Sequence, residues 1–163
     1  MIYINDIKTK GKLMEVRPIE AADKETFLAQ CKSFYSVGAT SRGYDQKLAE
    51  KTFDYLMCRH ENLWGYMMDD RDSGLPVGYA LITSYWCNEE GGNVIILDEL
   101  YIDSVNRHKG YGKLFLEWIE NEFKDRIVSI TLEVLADNLI AKDLYHKLGY
   151  LEDGFVTMTK RIS

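Results

Sequence analysis

The chain has 163 residues, 46% of them apolar, with two prolines and no low-complexity tract, which fits one folded domain over residues 1–163 and argues against extended disorder. A formal charge of −6 and a pI of about 5.1 come without any basic run. That balance speaks against nucleic acid as a partner and is compatible with a cationic substrate.

Residues 12–17 (KLMEVR) read as a first strand stopped by Pro18. Residues 20–35 follow as a helix with Phe27, Cys31, Phe34 and Tyr35 at helical spacing on its buried side. Residues 38–43 (GATSRG) form a loop, and Asp45 is placed to cap a second helix over about 46–60, with Leu48, Phe53 and Leu56 facing inward. The period then changes. Leu63–Met68 is a strand, Asp69–Pro76 a polar hairpin turn, Val77–Trp86 the returning strand, Asn88–Asn93 another turn, and Val94–Asp103 a third strand of an antiparallel meander. A helix over about 110–124 carries the apolar stripe Leu114, Phe115, Trp118, Ile119 and Phe123. Ile127–Val134 alternates, with Val128, Ile130, Leu132 and Val134 on one face, and joins the preceding strand and helix in a crossover. Asn138–Leu148 is a last helix closed by Gly149, and Phe155–Lys160 a last strand. The order implies an α/β fold: a mixed, mostly antiparallel sheet with a central parallel pair and helices on both faces.

Between the third strand and the following helix stands Arg107-His108-Lys109-Gly110-Tyr111-Gly112-Lys113. A glycine-bearing loop that feeds a helix at once is a phosphate site in outline. The first N–H groups of a helix lack internal partners, the helix dipole is positive there, and glycine lets the backbone approach a diphosphate closely. Arg107, His108, Lys109 and Lys113 add positive charge in an acidic chain. The loop is neither a dinucleotide G-x-G-x-x-G nor a nucleoside-triphosphate P-loop, because it lacks the G-K-[ST] ending. Downstream, Ala136-Asp137-Asn138 precedes the last helix, and Tyr145 lies seven positions beyond Asn138, close to two helical turns and so on the same face.

Taken together, RHKGYG, the intervening strand and ADNLIAKDLYHKLGY resemble the Gcn5-related N-acetyltransferase (GNAT) superfamily over Leu97–Tyr150, and the upstream order opening at Val16-Arg17-Pro18 extends the likeness over nearly the whole chain. The resemblance implies an acyltransferase that uses acetyl-CoA as co-substrate and an amine as acceptor, without a metal. It implies that the pantetheine arm pairs with backbone at Leu100, Tyr101 and Ile102, and that the diphosphate lies on the loop N–H groups from His108 to Lys113. Arg107 adds charge or steadies the loop. Tyr145 matches the general acid that protonates the departing thiolate, and packing is its rival role. Asn138 matches a residue that contacts the CoA arm or a water, and it also suits a helix cap.

An acceptor amine must shed a proton to attack a thioester, since alkyl amines have a pKa near ~10.4. Asp98 and Glu99 lie on the strand where many family members keep the base. On a regular strand they point to opposite faces, Glu99 with Tyr101 and Asp98 with Leu100 and Ile102; a bulge would change the assignment, and spacing to Arg107 favours Asp98. Tyr35, Tyr44, Tyr85, Trp86, Glu89 and Glu90 are candidates for an acceptor pocket.

Cys31, Cys58 and Cys87 are odd in number and widely spaced, which suits a reduced compartment, and direct transfer requires none of them. His60, His108 and His146 form no ligand pattern, so no metal is expected. No apolar run reaches the roughly 20 residues that span a bilayer, and MIYINDIKTKGK lacks a secretion signal's apolar region, so a cytoplasmic protein without a membrane partner is expected. The acceptor is left open, as is the oligomeric state, with a homodimer among the options. Two other functions fit the same motifs: a non-catalytic acyl-CoA-binding or sensing module, and a transferase of a larger acyl group.

Overall fold

The computed structural model describes residues 7–9, 12–36, 43–58 and 62–162. Its alternating segments assemble into one six-stranded sheet in the order β1-β2-β3-β4-β5-β6. β1 (Ile7–Thr9), β2 (Lys12–Pro18), β3 (Leu63–Asp70), β4 (Pro76–Cys87) and β5 (Gly92–Ile102) pair antiparallel in succession. β6 (Ser129–Leu132) then joins β5 in parallel. The helices are α1 (Lys24–Ser36), α2 (Gln46–Met57), α3 (Tyr111–Phe123) and α4 (Leu139–Lys147). Residues 1–133 form one compact unit and residues 134–163 another.

The first unit follows the sequence pattern closely. Asp45 caps α2 by accepting the N–H groups of Lys47 (2.9 Å) and Leu48 (3.3 Å), which satisfies two orphan donors of its first turn. The buried side of α2 is Ala49, Phe53 and Leu56; Leu48 lies one step out of that phase and is exposed. The predicted 38–43 loop lies almost wholly outside the described residues, as does His60. The strand expected over 127–134 is shorter, because β5 offers a parallel ladder only from Val94 to Leu97, opposite Ser129 to Leu132. No strand forms over 151–162, where Phe155, Val156 and Met158 are exposed. The parallel pair therefore stands at one end of the described sheet instead of at its centre.

Neighbouring side chains of β3 send Tyr66 and Met67 to opposite faces, and each face receives helices. On one, Phe27, Cys31 and Phe34 of α1 and Phe53 and Leu56 of α2 pack with Met67, Tyr79, Leu81 and Tyr101. Phe27 is fully buried and meets the Tyr79 ring edge-on at 5.1 Å and Phe53 at 5.8 Å. On the other, Trp118 of α3 meets Tyr66 edge-on at 4.9 Å, above the fully buried Phe115 and Ile119. Phe27→Ala is expected to cost about 3–5 kcal/mol of unfolding free energy by urea denaturation, from lost burial plus the cavity left behind. A loss under ~1 kcal/mol would show that the cluster collapses around the gap.

A polar clamp ties the base of the sheet to the turn before α1. Arg17 holds Asp23 through two nitrogens (2.7 and 2.9 Å) and Asp69 through Nε (2.6 Å). The Asp23 carboxyl is held below its ordinary range, first by the Arg17 hydrogen bonds.

Candidate active site

The site begins with one extra residue. Leu81 pairs with Glu99 and Ile82 with Leu97, so Asp98 is a bulge in β5. A bulge bends its strand and re-aims side chains. Here the β5–β6 ladder also stops at Leu97–Leu132, immediately before the bulge. From residue 98 to 102 the strand is laddered to β4 alone among the described residues, which leaves one backbone edge of β5 open.

The bulge separates the two candidate bases. Asp98 is exposed as a residue, yet burial of its carboxyl and then the charge of Glu133 raise its pKa. Glu99 is 8% exposed and faces the aromatic core with Tyr101. Tyr35 of α1 donates to Glu99 Oε1 and Tyr79 of β4 to Oε2, each at 2.6 Å. No ion pair joins Glu99 to a cation among the described residues. Burial raises the Glu99 pKa and the two phenol donors work against it. Both phenols are themselves pushed above the ordinary tyrosine range, first by burial. The Cys31 thiol beside them is pushed up to about 12, chiefly by burial, so it stays protonated at neutral pH and is a poor nucleophile.

Past Ile102 the chain turns through Ser104–Asn106 into the glycine loop. Arg107 folds back over the end of β5: its Nε donates to the Ile102 carbonyl (3.1 Å), and its guanidinium lies 5.9 Å from the Tyr101 ring centroid. Lys109 Nζ donates to Asn106 Oδ1 (3.0 Å). His108 has φ +58° and Gly110 φ +95°, so the loop reverses through two left-handed residues before α3 starts. Gly110 is the N-cap and contributes no side-chain cap; the first helical bond runs from Leu114 N–H to Gly110 O (3.0 Å). The N–H groups of Gly112 and Lys113 therefore precede any intrahelical partner. The Tyr111 hydroxyl, in contrast, donates to Asp70 Oδ2, while Asp70 Oδ1 accepts from Ser73 N–H and Oγ, both 2.9 Å. That buried chain anchors the first turn of α3 to the β3–β4 turn.

In the second unit, Asn138 caps α4 by accepting Ala141 N–H (3.2 Å). The helix ends in a Schellman arrangement. Gly149 at φ +90° donates to the His146 carbonyl, Tyr150 N–H donates to the Tyr145 carbonyl, each at 3.0 Å, and the Tyr145 and Tyr150 rings lie 5.8 Å apart. Burial raises the Tyr145 phenol above its ordinary value.

The structure thus brings Asp98, Glu99, Leu100, Tyr101, Ile102 and the loop from Arg107 to Lys113 into one continuous run. Tyr145 and Asn138 share the capped helix of the second unit. Of the residues considered for the acceptor pocket, Tyr35 and Tyr44 lie near each other (ring centroids 6.5 Å), whereas Tyr85, Trp86, Glu89 and Glu90 are exposed at the far end of β4 and its turn. Sequence reasoning missed Tyr79, whose alternation with Leu81 in β4 was the available signal, and the Tyr111–Asp70 bond, which has no local signal. Among the described residues no group of three or more His, Cys, Asp or Glu side chains is placed to hold a metal ion.

The fold recurs in known proteins. The chain is 24% identical over 140 residues to the D-amino-acid N-acetyltransferase HPA3 of Saccharomyces cerevisiae, covering 85% of each. A "possible acetyltransferase" from Clostridium difficile 630 superposes with a TM-score of 0.79 at 19% identity, over 92% of this chain and 98% of that one. The aminoglycoside N-acetyltransferase AAC(6')-Iy in complex with CoA superposes with a TM-score of 0.74 at 14% identity, over 95% and 99%. The profile of the acetyltransferase (GNAT) family matches residues 27–150, from the buried phenylalanine of α1 to the tyrosine that closes α4, and the chain is a member of that acyltransferase family.

Proposed function

We propose that the chain, acting as one domain over residues 1–163, moves an acetyl group from acetyl-CoA directly to a primary amine of a small molecule or peptide. The observation that carries this reading is the open edge of β5 running into the uncapped N-terminus of α3. An extended, amide-rich arm finds backbone groups along Leu100, Tyr101 and Ile102, whose carbonyl also accepts from Arg107, and a diphosphate finds the loop N–H groups from His108 to Lys113, those of Gly112 and Lys113 ahead of any intrahelical partner, together with the helix dipole. Arg107 steadies this loop through the Ile102 carbonyl, and Lys109 and Lys113 add charge at its rim.

Glu99, with Asp98 as the exposed alternative, serves as the base for the acceptor. Tyr145 gives its proton to the leaving sulfur, and Asn138 meets the CoA arm while capping its helix. The high pKa of Cys31 agrees with direct transfer, without an acyl-cysteine. The relatives named for D-amino acids and aminoglycosides act on amine acceptors, which favours that substrate class here.

The test is thiol release from acetyl-CoA over polyamines, aminoglycosides, amino acids and peptide N-termini, with products read by mass spectrometry, in the native chain and in Gly110→Asp. A Cβ at Gly110 meets nothing within 4 Å, so aspartate adds only backbone strain and a negative charge at the diphosphate position. At least one amine is expected to gain an acetyl group, and the variant to need ~10-fold or more acetyl-CoA for half-maximal rate, the effect of about 1.4 kcal/mol of repulsion. CoA binding without turnover on any amine would favour a sensing module, and unchanged acetyl-CoA dependence would remove the loop from the site.

A further inference from the structure

Glu99 is buried, at 8% exposure. Its two oxygens are each engaged by a phenol at 2.6 Å, but the two phenols are not equivalent. Tyr79 is fully buried, with Phe27, Phe34 and Tyr101 around its ring at 5.1, 6.4 and 5.9 Å. Nothing outside the core can exchange a proton with its oxygen. Tyr35 is half-buried at the last turn of α1, edge-on to Phe34 at 5.3 Å and with Tyr44 at 6.5 Å. A phenol that donates to a carboxylate keeps its own lone pairs free to accept. Tyr35 therefore can accept a further hydrogen bond while it donates to Glu99, and of the two phenols it alone is not fully buried.

We infer that Tyr35 is the proton relay between the acceptor and Glu99: the ammonium passes a proton to the Tyr35 oxygen while the Tyr35 proton moves to Glu99 Oε1. This rests on Glu99 being the base. The amine becomes neutral, Tyr35 is neutral before and after, and Glu99 holds the proton. The nitrogen lone pair then forms the C–N bond as the C–S bond breaks. The nitrogen's second proton balances the one that the sulfur receives, and the Glu99 proton returns to solvent by the same path. Because burial and the neighbouring carboxylate disfavour a phenolate at Tyr35, the two proton movements are concerted. The other ionisable groups around Glu99 are Tyr79 on β4, Cys31 on α1 and Asp98 on β5; Tyr79 and Cys31 stay protonated at neutral pH, and Asp98 is exposed as a residue.

The experiment compares Tyr35→Phe, Tyr79→Phe and Glu99→Gln with the native chain on two acceptors. These are the best primary amine of the acceptor screen and its β,β-difluoro analogue, whose amine is far less basic and uncharged in a much larger fraction at neutral pH. Both phenylalanines keep the ring packing, and thermal melts verify folding. Tyr35→Phe is expected to lower kcat by ~10²-fold on the charged amine, the scale of one proton-transfer group, with the acetyl-CoA KM unchanged. Its deficit and that of Glu99→Gln should shrink together on the fluorinated amine, whereas any Tyr79→Phe deficit should be the same on both.

If Glu99→Gln is slow and Tyr35→Phe is as fast as the native chain, the relay is wrong and the base stands. Equal Tyr35→Phe deficits on the two amines would mark a structural role and also overturn it. If Glu99→Gln itself is fully active, the base reading falls and the relay falls with it. Should Tyr35→Phe fail to fold, 3-fluorotyrosine at the same position supplies the readout: the relay requires a changed solvent isotope effect on kcat, and an unchanged one refutes it.

Discussion

Glu99→Gln is expected to lower kcat by ~10²–10⁴-fold while leaving the thermal midpoint unchanged or slightly higher. The amide has the shape of the carboxylate: its oxygen accepts from one phenol and its NH2 donates to the oxygen of the other, so packing survives while the proton acceptor is lost. The stability sign follows from linkage. Burial raises the Glu99 pKa in the folded chain, so the folded state holds its proton to higher pH than the unfolded one. Stability therefore falls as pH rises from the unfolded value through the folded value, and an amide that never ionises escapes that loss. The same shift governs activity: the native kcat should fall as pH drops through a value above the ordinary carboxylate range, and this acid limb should vanish in the variant. Stopped-turnover rates from acid to alkaline pH, beside calorimetric melts, check both. A variant that loses rate and stability together would make Glu99 a structural carboxylate.

Tyr145→Phe is expected to reduce kcat by ~10²-fold or more with unchanged affinity for acetyl-CoA. Phenylalanine keeps the ring contact with Tyr150 and the backbone bonds that close α4, so the helix end should persist. On the proposed assignment, what disappears is the proton for the leaving sulfur. Because burial raises the Tyr145 phenol, the alkaline limb of the native profile should lie above the ordinary phenol value, and the variant should lack it. Titration calorimetry with CoA, beside steady-state rates, separates the two effects; equal losses in binding and turnover would assign Tyr145 to packing.

Both candidates stood in the sequence, but not equally. Tyr145 stood out because Asn138, the tyrosine and Gly149 are spaced along one helix, and helix caps are local chemistry. Glu99 was one of two adjacent carboxylates, and spacing to Arg107 favoured Asp98. The structure separates them through a bulge whose signal lies in the pairing of β4 with β5, far apart in sequence. Leu48 shows the same limit on a smaller scale: periodicity found the helix, and the phase Ala49-Phe53-Leu56 decided which residues face the core.

Local order determined β2 to β5, the capped helices, the glycine loop and the family, because alternation, capping and left-handed turns depend on residues a few positions apart, whereas the strand expected over 155–160 does not form. Tertiary structure alone decided that β5 leaves β6 after Leu97, that Asp98 is extruded, and that Tyr35 and Tyr79 converge on Glu99. The physical reason is distance along the chain. Tyr35 lies 64 residues from Glu99 and Tyr79 lies 20 residues from it, so only the packing of α1 and β4 against β5 brings their hydroxyls to one buried carboxylate.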